Sequence, residues 1–434
     1  MKKGNKKGSY FILVTIIFSG ILVLIFAIIW AAGQSAISST SKSLGRVWGR
    51  SILAEYDVKL QERYGLFAFY GDEYSVKEKI DYYAQYSFLQ KEYIDYDMEK
   101  VSLDDFSICN KDNFQQQIKE IVLYLVKPVP IVFSNAKEKS EGVNSAINSQ
   151  RIIQSLPSKG RGGGINLASL LEKITEGFNL SNLISEASEN VYIFNYYKDY
   201  INKRDLGDTY FQNEIEYIIS GKLNDEKARK SVKSNIVLLR NGLNLAYLYS
   251  SPEKRKITLA AAELITPGAL APVTQAIIME VWAAFEASND MKLLYDKKKV
   301  PIMKTDSTWA ISLENVLRDK FGISIDDPVE KDLADKALTL GEENMGKMLG
   351  NDSENDEDRD YILPDKTEGL EYEDYLRILV SVIPHETRIL RMQDLIQINM
   401  KYLYCDYFLL QDYYTGMNFV FSVNGRKYEI TESY

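Results

Sequence analysis

Residues Tyr10 to Ala32 form a run of 23 without one Asp, Glu, Lys or Arg. As a helix this run is about 34 Å long, slightly more than the ~30 Å hydrocarbon core of a bilayer. A core helix of that length would keep a polar face, and this run has none. A cleaved secretory signal would have a shorter apolar core, roughly 7–15 residues, although Ala31-Ala32-Gly33 leaves a cleavage site open. Lys2, Lys3, Lys6 and Lys7 precede the run, while Lys42 and then mixed signs follow it. Positive charge on the first flank predicts a single-pass topology. Residues 1–9 are then a cytoplasmic leader, 10–32 lie in lipid, and the rest is an extracellular ectodomain.

The helix is expected to continue past the lipid. Leu44, Val47/Trp48, Ile52, Tyr56, Leu60 and Tyr64 recur every three to four residues, with Arg46, Arg50, Glu55, Lys59 and Arg63 between them. That spacing predicts an amphipathic helix whose apolar stripe the body must cover. Between the two halves lies a collar, Gly33 to Ser43. Its small residues Ala32, Ser35, Ala36 and Ser39 would admit a second helix closely, or the collar is a flexible stalk.

Of the 434 residues 45% are hydrophobic and 26% charged, which is globular rather than disordered. Thirty tyrosines against four tryptophans predict many half-buried aromatics with a polar end. The net charge is −9, and removing the four leader lysines (+4) leaves −13 for the remainder. So acidic a body argues against nucleic acid and against a broad electrostatic grip on anionic lipid. Cys109 and Cys405 could pair outside the cell or stay as idle thiols, and no zinc-type spacing occurs.

Along the body, Tyr82–Tyr96 begins helical, Tyr93–Ser107 alternates like one or two strands, and Phe114–Val126 is a helix stopped by Pro128 and Pro130. Ser134–Gly164 is linker-like. Helices are expected from Leu183 onward, among them Asp225–Tyr249, Glu253–Ile265 and Val273–Tyr295. The last is read as a central core helix, because it holds Glu280 and Glu286. Thr305–Phe321, Pro328–Leu349, Leu370–Ile383 and Glu386–Tyr404 follow. Alternating residues around Asn424-Gly425 predict a terminal hairpin, which could pair with the Tyr93–Ser107 strands. The fold class is mainly α with a small β-sheet (α+β). Its segments are 1–9, 10–32, 33–133, a linker 134–165, a helical body 166–350, an acidic loop 351–369 and C-terminal helices with the hairpin in 370–434.

Catalytic signals are weak. His385 is the one histidine, at a helix start after Pro384. Ser-x-x-Lys occurs at Ser39/Lys42, Ser134/Lys137 and Ser251/Lys254, as chance allows. Lys159–Gly164 lacks the spacing of a phosphate loop. Asp356, Asp358 and Asp360 have a calcium-like spacing without the glycine and distal Glu of an EF-hand. No catalytic, cofactor-binding or metal residue is therefore assigned, and no cofactor is expected.

Several stretches carry a family resemblance. They are the basic leader with Gly8-Ser9, the apolar span, the collar, Ser51–Asp57 and Tyr64-Gly65-Leu66-Phe67, then Glu214–Lys222, Leu370–Leu376 and Arg391–Ile396. In this order the chain resembles the TadE/TadG-like membrane proteins of Firmicutes and related bacteria, a family otherwise of unknown function. The resemblance implies a minor pseudopilin-like or accessory component of a Tad (Flp-type) pilus or secretion apparatus, with other apparatus proteins as partners. One departure stands out: counting from Gly8, Leu13 occupies the place of the usual pilin Glu. Processing near Gly8 and polymerisation are then in question, and a permanent anchor fits better. A surface-binding or sensor ectodomain, and a membrane-tethered hydrolase using carboxylates, are the other two classes weighed.

Overall fold

The computed structural model describes residues 6–89, 93–125, 150–160, 165–175, 188–201, 206–321 and 369–434. It is mostly helical with small antiparallel sheets, and the chain clusters into two units, residues 1–113 with 409–434 and residues 114–408. The linear segmentation read from sequence ran 370–434 as one piece. Here its last residues join the first unit, because their strands complete that unit's sheets.

The first unit is built on α1 (Lys6–Leu53), which runs unbroken through the apolar run and the collar. The collar is thus helical, not a stalk. Among the described residues this is the one helix long and apolar enough to cross a membrane, and its apolar window is wholly unburied. The amphipathic half ends earlier than Tyr64. Asp57 accepts from the backbone N–H of Leu60 at 2.9 Å and starts a separate helix, α2 (Val58–Tyr64), which Gly65 closes at φ 69°. The Tyr434 hydroxyl donates to the Leu53 carbonyl, satisfying an end of α1 that no further turn can reach.

Two small sheets follow. β1 (Phe69–Tyr70) pairs with β3 (Tyr413–Tyr414). β2 (Tyr96–Ser102) pairs with β4 (Gly416–Val423), which pairs with β5 (Arg426–Ser433) through the Asn424-Gly425 turn. Both turn residues have positive φ, 50° and 75°, as a tight hairpin turn requires. The Tyr93–Ser107 stretch supplies one strand, in the expected pairing. Met417, Phe419, Phe421 and Val423 alternate into the core with Tyr428 and Ile430, and meet Trp48 and Ile52 of α1 and Val76 and Ile80 of α3 (Glu73–Ser87). Trp48 anchors the helix, edge-on to Phe88, Tyr96 and Phe421 with its Nε1 donating to Ser87 Oγ at 2.9 Å. Val47, its neighbour in the predicted stripe, faces out at 56% exposure.

The second unit holds α4 (Lys111–Leu125), most of which lies within it, α5 (Gln150–Ser155), α6 (Leu167–Thr175), α7 (Ser188–Tyr196), α8 (Glu214–Ser220), α9 (Asp225–Ser250), α10 (Pro252–Ile265), α11 (Ala271–Tyr295), α12 (Leu313–Phe321), α13 (Tyr372–Ser381) and α14 (His385–Asn399). As expected, α11 is a core helix: Ile278, Val281, Trp282 and Leu294 are buried, and it packs on α9 and α10. Thr305–Thr308 forms a hydrogen-bonded turn instead of the start of a helix. Part of the predicted linker is ordered, since α5 leads into a turn where Leu156 and Ser158 are buried. The predicted helix Pro328–Leu349, the Ser134/Lys137 pair and the aspartates 356, 358 and 360 lie outside the described residues.

Candidate functional site

Three stretches far apart in sequence converge inside the helical unit: Glu214–Gly221, Tyr372 and Arg391–Asn399. The Tyr217 hydroxyl donates to Asp394 Oδ2 at 2.6 Å, and Asp394 Oδ1 accepts from the Ser158 backbone N–H at 2.9 Å. Arg391 Nη1 donates to the carbonyls of Ile218 and Ile219 at 2.7 and 3.0 Å, where a cation suits the negative end of α8. Gly221 caps that helix at φ 68°, and a Cβ there would lie 2.7 Å from an Arg391 nitrogen. Glycine meets both demands at once.

Two carboxylates of α8 are fully buried. Glu214 accepts from Lys198 N–H at 3.0 Å and from Asn399 Nδ2 at 2.6 Å. Glu216 Oε1 accepts from Tyr200 N–H at 3.0 Å and from the Tyr372 hydroxyl at 2.9 Å, while Oε2 has no hydrogen bond. Burial, with the nearby Asp199 charge, pushes the Glu216 carboxyl up to about 7. Burial also raises Asp394 above the usual carboxylate range, against the hydrogen bonds from Ser158 and Tyr217.

A second buried cluster links α9, α11 and the segment after α11. Lys304 Nζ lies 2.6 Å from Glu286 and 2.7 Å from Asp290, and Arg240 Nε donates to Asp290 at 2.9 Å. Asn244, the Ile302 carbonyl and the Glu286-bound amides of Ala310 and Ile311 complete it. Two cations face two carboxylates in an enclosed site, so charges cancel where solvation is lost. Burial raises the Glu286 carboxyl even against Lys304. The side chains of both clusters are almost wholly buried, a geometry suited to fixing helix register more than to admitting substrate.

The remaining sequence candidates are scattered. His385 opens α14, part-exposed, with Nε2 3.0 Å from Glu189, which also accepts from Arg388 and Gln115. Ser251 caps α10 by accepting from Lys254 N–H, and the Lys254 ammonium pairs with Asp306 at 3.2 Å, so the two do not form a nucleophile and base. Ser39 and Lys42 line an open groove with Trp30, Gln34 and Arg426. Cys109 and Cys405 are both half-buried, one in each unit. Lys159 and Gly160 both take positive φ in the turn after α5. Among the described residues no group of three or more His, Cys, Asp or Glu could hold a metal.

A model described as a family of unknown function (DUF5702) matches residues 110–425. The chain belongs to that family. No curated protein and no solved structure matches the chain. The DUF5702 match contains both buried clusters whole and stops in the turn before β5. It leaves out α1, the apolar run included.

Sequence reading had picked out Glu214–Lys222, Leu370–Leu376 and Arg391–Ile396 as family-like, yet gave no sign that they meet. It missed the Lys304, Glu286, Asp290 and Arg240 cluster altogether. One available signal was the charged residues inside otherwise apolar helical stretches, Glu286 and Asp290 above all, since such groups are kept only when paired.

Proposed function

We propose that the protein is a non-enzymatic, membrane-anchored component of a Tad-type pilus or secretion apparatus, with its N-terminus cytoplasmic and its body outside. The observation that carries this reading is the division of labour along α1. Its first half is apolar and unburied over a membrane's thickness, and its second half is docked by Trp48 and Ile52 on an antiparallel sheet. Pilin-like proteins also set a sheet against a long N-terminal helix, which supports the reading by analogy. The enclosed polar clusters favour a rigid scaffold over a hydrolase. With Leu13 in place of a pilin Glu, a permanent anchor or accessory subunit is favoured over a polymerising one.

Crosslinking in intact cells followed by purification from membranes tests this. Pilus or secretion components should be recovered, and deletion should change surface filaments. If neither happens, the reading fails. Binding of a glycan or host protein by the purified chain would then favour a surface-binding role.

A further inference from the structure

The hairpin turn of the first unit lies at the same end of the docked half of α1 as the apolar run. A Cβ at Gly45 would meet Ile430 and Phe421, and one at Gly49 would meet Glu432 and Phe419. β5 therefore runs parallel to α1, and its first residue, Arg426, sits on the side of the span. There it lines one open groove with Trp30, Ala31, Gln34, Ser35, Ser38, Ser39 and Lys42, the last six on or beside the collar.

We propose that this groove binds the headgroup phosphate of an anionic phospholipid in the leaflet from which the body emerges, with Lys42 and Arg426 as the cations. This rests on the membrane reading of residues 10–32. The charge pattern selects an anion. Arg50 is paired with Glu432 at 3.4 Å and Lys427 with Glu99 at 2.6 Å, whereas Lys42 and Arg426 have no ion pair among the described residues. Among the described residues no acidic side chain lines the groove; Asp95 meets the turn through its backbone, its N–H donating to Asn424 Oδ1 and its carbonyl accepting from the Asn424 N–H. Ser35, Ser38, Ser39 and Gln34 supply neutral donors for phosphate or glycerol oxygens.

Position selects a lipid over a soluble anion. Lys42 lies ten residues beyond Ala32 on an unbroken helix, roughly 15 Å along its axis. Helical side chains lean toward the N-terminus, which brings its ammonium to about 9 Å from the hydrocarbon edge. That is within about one Debye length of the phosphates at physiological salt. At the other end the groove reaches Trp30, an interfacial residue type, beside the bare apolar helix along which acyl chains would lie. The excess negative charge of the body still excludes a broad grip; two local cations make a site for one headgroup.

The test uses the full chain in nanodiscs of phosphatidylcholine alone or mixed equally with phosphatidylglycerol, with retained lipid identified by native mass spectrometry. Phosphatidylglycerol should be enriched over phosphatidylcholine, and the Lys42→Gln/Arg426→Gln double variant should lose about tenfold of that preference. The charge-conserving Lys42→Arg/Arg426→Lys variant should keep it, which separates charge from misfolding. Equal retention of both lipids by the wild-type chain, or a preference untouched by the neutral double variant, overturns the proposal. A chain that does not incorporate into nanodiscs at all overturns the membrane reading instead.

Discussion

Gly45 on α1 lies so close to Phe421 of β4 that a Cβ there would stand 2.9 Å from its ring, and as near to Ile430 of β5. The helix touches the sheet through backbone at this point, and neighbouring Trp48 fills the flank. Gly45→Leu should destabilise the first unit by about 2–3 kcal/mol, because overpacking outweighs the gain of ~1 kcal/mol in helix propensity. Thermal unfolding of the detergent-solubilised chain, with limited proteolysis between α1 and β2, measures it. An unchanged or raised melting temperature would show that the helix is not seated as described.

Lys304 contacts two carboxylates at once. Lys304→Met leaves Glu286 and Asp290 facing Arg240 alone, in a site with no exposure to water. Removing one partner of a buried ionic set costs about 3–5 kcal/mol. The helical unit should unfold at correspondingly lower denaturant, and Lys254→Met, whose partner Asp306 is exposed, should change stability by under about 1 kcal/mol.

Glu216 makes the helical unit sensitive to alkali. Its folded pKa, about 7, is above the ordinary 4.5, so the folded state binds the proton more tightly than the unfolded chain. The stability this gives is complete below about pH 4.5 and is lost as pH rises through 7. Glu216→Gln keeps an oxygen for Tyr200 N–H and the Tyr372 hydroxyl without ever ionising. It should match the wild type at pH 5 and exceed it at pH 8 by up to about 3 kcal/mol, the worth of such a shift. Denaturant titrations at the two pH values decide it; a variant weaker at pH 8 refutes the assignment.

Membrane insertion should depend on charge in the first half of α1 alone. Ile21→Arg/Ile25→Arg adds about 5–7 kcal/mol on the insertion scale, against a similar total favouring the span. The carbonate-resistant fraction should fall sharply. Val47→Arg/Val58→Arg, at positions equally exposed but outside the span, should leave it unchanged.

Much of the architecture was legible because its signals are local. The uncharged run predicts α1, the 3.6-residue spacing of Leu44, Trp48 and Ile52 carries the helix past the lipid, and Asn424-Gly425 with alternating neighbours predicts β4 and β5. The break at Asp57 was less visible, since periodicity continues across it while the capping side chain turns the chain.

Sequence alone determined where an apolar helix, a hairpin and a central core helix must lie, since each follows from the spacing of residues one to four apart. Tertiary structure decided which distant groups share a site. Tyr217 reaches Asp394 across 177 residues, Tyr372 reaches Glu216 across 156, and Arg240 reaches Asp290 across 50. No periodicity encodes such pairs; they are fixed when packing removes water and buried charges and hydroxyls must find partners in one another. The same holds at the collar, where sequence offered a stalk or a packing face and the fold set Arg426 and Lys42 on one groove.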